Sequence, residues 1–122
     1  MEWNGKTFKR AYYLWLKSQP CVVCGHLPKD PASLNEADHV RIPTEKGGRL
    51  RTHKGRYAYA ALPLCNTCHR KKHEVGEMDF YFSSGIEIEE ALIFYLTSFL
   101  YEIEEKGVCG ILEEHFLEDE CF

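Results

Sequence analysis

The sequence predicts an α+β protein: a small core of two strands and a helix held by a four-cysteine cluster, flanked by an N-terminal helix and a C-terminal acidic helix. Three observations carry this. Two CxxC pairs, Cys21/Cys24 and Cys65/Cys68, stand forty residues apart. Between them lie short apolar runs broken by glycine and proline. After them comes IEIEEALIFYLTSFLYEIEE, apolar at helical spacing.

Taken in order, Lys6 to Lys17 reads as a helix, because Phe8, Tyr12, Trp15 and Leu16 share one face and Pro20 enforces a stop. Cys21-Val-Val-Cys24-Gly25 is a tight knuckle, with Gly25 supplying its turn. Residues 27 to 36 are loop, marked by Pro28, Asp30, Pro31, Ser33 and Asn35. Ala37 to Ile42 is a short strand and Pro43 to Tyr57 a long basic loop. Tyr57 to Leu64 returns as a second strand, and Pro63 to Lys72 turns through the second knuckle into a helix that Asn66 caps. Ile86 to Glu105 is a helix of about five turns, striped by Ile88, Leu92, Tyr95, Phe99 and Ile103, widened by Leu96 and Leu100, and closed by Gly107. The end, ILEEHFLEDECF, is a short acidic helix or a frayed terminus.

At 122 residues the chain is one domain with a modest core. Residues 1–78 form the cysteine-held unit, and residues 79–122 are an acidic extension packed on it. No apolar run reaches the roughly 18 residues of a membrane span. The start, MEWNGKTFKRAYYLWLK, lacks the apolar region of a signal peptide. The expectation is a cytoplasmic protein with no membrane partner. In a reducing compartment cysteines serve metals rather than disulfides. Four thiolates in two knuckles suit a structural zinc ion in a closed tetrahedron, which stabilises small domains. Cys109 and Cys121 read as ordinary thiols.

The net charge of -4 hides a division. Residues 39–73 hold nine Lys/Arg against one acid, whereas residues 74–122 hold one against fourteen. Local rather than average charge meets a partner, so a nucleic-acid contact is expected at the basic block. Arg41, Lys46, Arg49, Arg51, Lys54 and Arg56, with Gly47-Gly48, would form a phosphate-binding arm. Arg70 and Lys71 would add contacts from the helix. No base-reading helix is evident, so sequence specificity should be low. His53 reads as a loop histidine. The acidic tail reads as a core helix with a solvated face, or as a docking surface for a basic protein partner.

With the cysteines occupied, His69 and His73 remain, at i and i+4 on one helix face. Asp38 would complete an Asp-His-His set for a second divalent cation. His39 would stay off that ion as general base, a role suited to an imidazole near neutral pH. Strand alternation sends Asp38 and His39 to opposite sides, so a twist or bulge at the strand end would be needed to bring both to the edge of one cleft.

CVVCG, ADHV, a Gly-Gly basic loop and PLCNTCHRKKH, in that order, resemble the zinc-stapled branch of the HNH endonucleases, the ββα-metal superfamily. PLCNTCHRKKHEVGE is most similar to small phage and prophage Ref-like nucleases. The resemblance covers about Pro20 to Gly76. It implies a metal-dependent phosphodiester hydrolase acting on DNA, with His39 as base and Asp38, His69 and His73 as ligands. The cation would be magnesium or manganese, with nickel or zinc acceptable to the same ligands. The products would carry 5′-phosphate and 3′-hydroxyl ends. One departure stands out: the family's middle asparagine, which braces the base, has no counterpart in Tyr57-Ala-Tyr-Ala-Ala-Leu62. Either Tyr57, Tyr59 or a backbone group replaces it, or the chain is a catalytically inactive DNA- or protein-binding module.

Overall fold

Helix α1, Gly5–Lys17, forms where the apolar face was expected, and it buries Ala11, Tyr12, Trp15 and Leu16. This is seen in a computed structural model that describes residues 5–30, 33–40, 42–43, 49–50 and 58–114. Past α1 the chain enters the first knuckle, where the Gly25 N–H donates to the Cys21 carbonyl at 2.9 Å and Gly25 takes a φ of 78°. That left-handed conformation is cheap only for glycine. Asn35, buried, then ties helix exit to knuckle: its Nδ2 donates to the carbonyls of Gln19 and His26 at 2.9 and 3.0 Å.

The expected Ala37–Ile42 strand is two strands, β1 (Glu36–His39) and β2 (Ile42–Pro43). β2 pairs antiparallel with β3 (Arg49–Leu50), inside the stretch expected to be loop. β1 pairs antiparallel with β4 (Ala61–Leu64) in an unbroken register from Glu36↔Leu64 to His39↔Ala61. The second strand is therefore shorter than the predicted Tyr57–Leu64. Every residue of β4 is buried, because layers cover both its faces.

Helix α2, Asn66–Val75, follows at once. Its cap is Cys65 and not Asn66, since the Cys65 sulfur accepts from the Cys68 N–H at 3.4 Å. A knuckle cysteine thus does the work of an N-cap oxygen. A short helix, α3 (Glu77–Ser83), was not anticipated; the boundary drawn between residues 78 and 79 falls inside it. Helix α4 runs Ile88–Glu114 and bends at Gly107, where φ is 74°. Gly107 thus ends the first helical stretch, as expected, and a second stretch follows at once.

Two apolar clusters flank the β1–β4 pair. One joins Val40, Leu62, Leu64, Phe80, Tyr81 and Leu92 to Cys21, Cys65 and Cys68 of the knuckles. The other joins Tyr12, Trp15 and Leu16 of α1 to Ala61, Phe99, Ile111 and Leu112. Each large side chain so buried contributes roughly 1.5–3 kcal/mol. α4 contributes to both clusters, so the acidic extension is part of the core. Cys109 is disulfide-bonded, contrary to the ordinary thiol expected there.

Candidate functional site

The four knuckle sulfurs converge. Cys21, Cys24, Cys65 and Cys68 offer sulfur atoms all within 4.8 Å of one another, and Cys24 Sγ lies 3.6 Å from Cys65 Sγ. Four sulfurs about 2.3 Å from a zinc ion lie about 3.8 Å apart, so this set could hold a metal ion such as zinc. The backbone holds the knuckles together as well: Val22 N–H donates to the Pro63 carbonyl at 2.9 Å. Burial pushes the Cys21 thiol up, but backbone hydrogen bonds at Cys24, Cys65 and Val23 outweigh it and bring it down to about 7. Cys68 is pushed well up, by burial and then by its neighbouring thiols. Four sulfurs this close resist ionising together unless a cation joins them.

On the α2 side of β1 lies a second polar cluster. His69 Nδ1 is 2.8 Å from Glu36 Oε2, and its Nε2 is 3.0 Å from His73 Nε2 and 3.6 Å from Asp38 Oδ1. The i, i+4 spacing on α2 thus brings the two imidazoles together as expected. A cation bound at about 2.1 Å by two nitrogens in adjacent octahedral positions would hold them about 3.0 Å apart. Glu36 fixes the ring of His69 in the manner of carboxylates behind metal-bound histidines. Among the described residues, however, the four cysteines are the one set of three or more ligating groups within 4.8 Å of one another. Asp38, His69 and His73 converge in pairs and not as a closed triad.

Asp38 is already engaged. Lys72 Nζ donates to its two oxygens at 2.7 and 2.8 Å, and Tyr81 OH donates to Oδ2 at 2.8 Å. Lys72 also pairs with Glu77 at 3.0 Å. Asp38, Lys72 and Tyr81 are all buried. Burial, then the charge of Asp38, pushes the Tyr81 phenol up, which keeps its hydroxyl a donor. The ammonium of Lys72 therefore occupies the carboxylate that a divalent cation would need.

The bulge needed to swing His39 beside Asp38 is absent, because β1 keeps its register through His39. The two side chains take opposite faces. His39 meets α1, where its Nε2 is 3.0 Å from Tyr13 OH and 3.1 Å from the Ala58 carbonyl. Tyr13 OH donates to that carbonyl at 2.6 Å. With the Tyr13 proton directed at that carbonyl, His39 Nε2 is placed to donate to the Tyr13 oxygen and to the Ala58 carbonyl. Tyr13 OH and the Ala58 carbonyl are thus the groups that hold the His39 ring at Nε2. Tyr59 packs instead on Phe8 and Tyr12, and Tyr57 lies outside the described residues.

Glu36, Lys72, Tyr81 and Tyr13 were missed in the sequence. Glu36 was findable, standing two positions before Asp38 on the same strand face. Of the basic residues, Arg70 and Lys71 are exposed on α2, and Arg49 lies in β3. Arg41, Lys46, Arg51, Lys54, Arg56 and His53 lie outside the described residues. Among the described residues, no helix is long and apolar enough to cross a membrane. Comparison with protein-family models, curated proteins and solved structures finds no match.

Proposed function

We propose that the chain is a metal-dependent endonuclease of HNH type, held by a structural zinc ion and cleaving DNA with little sequence specificity. One observation carries this reading: two antiparallel strands run directly into a helix whose His69 lies 3.0 Å from His73 and 3.6 Å from Asp38. His69 and His73, with Asp38 once Lys72 has left it, would hold the second cation. When bound, that ion would offset charge building on the phosphate. The chain's own part is to hold His39 through Tyr13 and Ala58 as the group that would take a proton from water. Arg70 and Lys71 would lie along the phosphate backbone.

Plasmid nicking with magnesium or manganese tests the proposal. Nicking that disappears in His39→Ala, with zinc content unchanged, is the expected result. A second reading is favoured by the Lys72–Asp38 pair and by the separation of His39 from the histidine pair: a catalytically inactive DNA- or protein-binding module. Intact plasmid under every divalent metal, with salt-sensitive DNA binding retained, would establish that module and end the nuclease reading.

A further inference from the structure

Helix α4 has two apolar sides, of which the fold covers one. Leu92 and Phe99 are buried in the two clusters, and Leu96 and Ile103 pack beside them. On the other side Ile93, Phe94, Leu100 and Tyr101 are 66%, 63%, 56% and 63% exposed. They fall at i, i+1, i+7 and i+8, with Thr97 between, and so make one stripe along about two turns. Glu89 and Glu90 precede the stripe on the same arc; Glu104 and Glu105 follow it, and all four are exposed. The one base of α4, Lys106, is held by Glu102 and Glu114 at 2.9 and 2.7 Å. Four large apolar side chains rimmed by charge mark a protein contact.

The sign of the rim selects the occupant. A second copy laid along the stripe, parallel or antiparallel, sets glutamate against glutamate. Nucleic acid and anionic lipid are repelled by the same four carboxylates. The chain's last segment carries Glu118, Asp119 and Glu120 with no lysine or arginine. The basic segment 41–57 has the right sign, but Pro43, Gly47, Gly48 and Gly55 deny it a helical apolar face. We propose that the outer face of α4 docks a basic amphipathic helix of a partner protein. Apolar anchors would fill its middle, with Lys or Arg at both ends about 21 Å apart, the rise between Glu90 and Glu104. The proposal stands whether or not the chain cleaves DNA.

The 122-residue chain, loaded with zinc, can be titrated with two labelled 18-residue synthetic helices sharing one leucine stripe, one ending in lysines and its twin in glutamates. Fluorescence anisotropy should show the lysine peptide binding about tenfold or more tighter, and more weakly as salt rises. Phe94→Ala with Leu100→Ala should weaken it about tenfold, and Glu90→Lys with Glu104→Lys should reverse the preference. Thermal unfolding and zinc content identify variants that remain folded. Equal affinity for the twins, or no binding of the lysine peptide to folded protein, overturns the proposal. So does a dimer in sedimentation that Phe94→Ala abolishes, since that gives the face to a second copy.

Discussion

Tyr12 and Tyr13 are adjacent on α1 and meet opposite fates. Tyr13 OH holds His39, 26 positions on, while the hydroxyl of Tyr12 is buried without a hydrogen-bond partner among the described residues. An unmade bond in the interior costs about 1–3 kcal/mol, so Tyr12→Phe should be neutral or raise stability by about 1 kcal/mol, read as an upward Tm shift. Tyr13→Phe should spare the fold and zinc content but slow any cleavage about tenfold and alter its pH profile, because the imidazole loses the hydroxyl that restrains it. Lys72→Met leaves Asp38 buried without its cation and should cost about 3 kcal/mol in denaturant unfolding. Adding Asp38→Asn should return part of that loss. The cysteine and histidine pairs were readable in advance because their chemistry is local, set by spacings of three and four positions. The partners of Asp38 and His39 were not. They come from α1, α2 and α3, and only the packed fold decides that a lysine between two histidines turns inward.

The helices show where periodicity is informative and where it stops. α1 and the buried stripe of α4 were legible, since four or more apolar residues at helical spacing have few other uses. α3, seven residues with an exposed Phe82 between buried Tyr81 and exposed Ser83, offers no such stripe. Gly107 ends the first stretch of α4 as its sequence signals, and a second stretch beyond it buries Ile111 and Leu112. Replacing it with alanine should cost about 1–2 kcal/mol, because a φ of 74° strains any residue with a Cβ; the same change at Gly110 lacks that strain. Chelation should remove about one zinc per chain, measured by mass spectrometry. It should also lower Tm sharply, because both knuckles support the cluster that contains Leu62, Leu64 and Phe80. Cys68→Ser should do the same without chelator.

Across the molecule, charge is divided but the core is not. The acidic half supplies Phe80, Tyr81, Leu92, Phe99, Ile111 and Leu112 to the two clusters. Deleting residues 86–122 should therefore abolish cooperative unfolding instead of releasing a working fragment. Near-ultraviolet circular dichroism of the truncated protein would show it as lost tertiary signal. The function of the acidic helix has to be probed by surface changes such as those at Phe94 and Leu100. The net charge of -4 says little about binding, since charges more than about 8–10 Å apart are largely screened from one another at ordinary salt.

Cys24 and Cys65 are 41 positions apart, yet their sulfurs lie 3.6 Å from each other. With an ion between them, everything from the first knuckle to the second becomes a closed ring, and the most positively charged part of the polypeptide is its circumference. One backbone scission anywhere between positions 41 and 57 would then open the ring without parting the pieces. The nicked protein should travel as a single species on a native gel and separate into two once a chelator strips the clasp and mild denaturant melts the β1–β4 pair and the α1–α4 cluster.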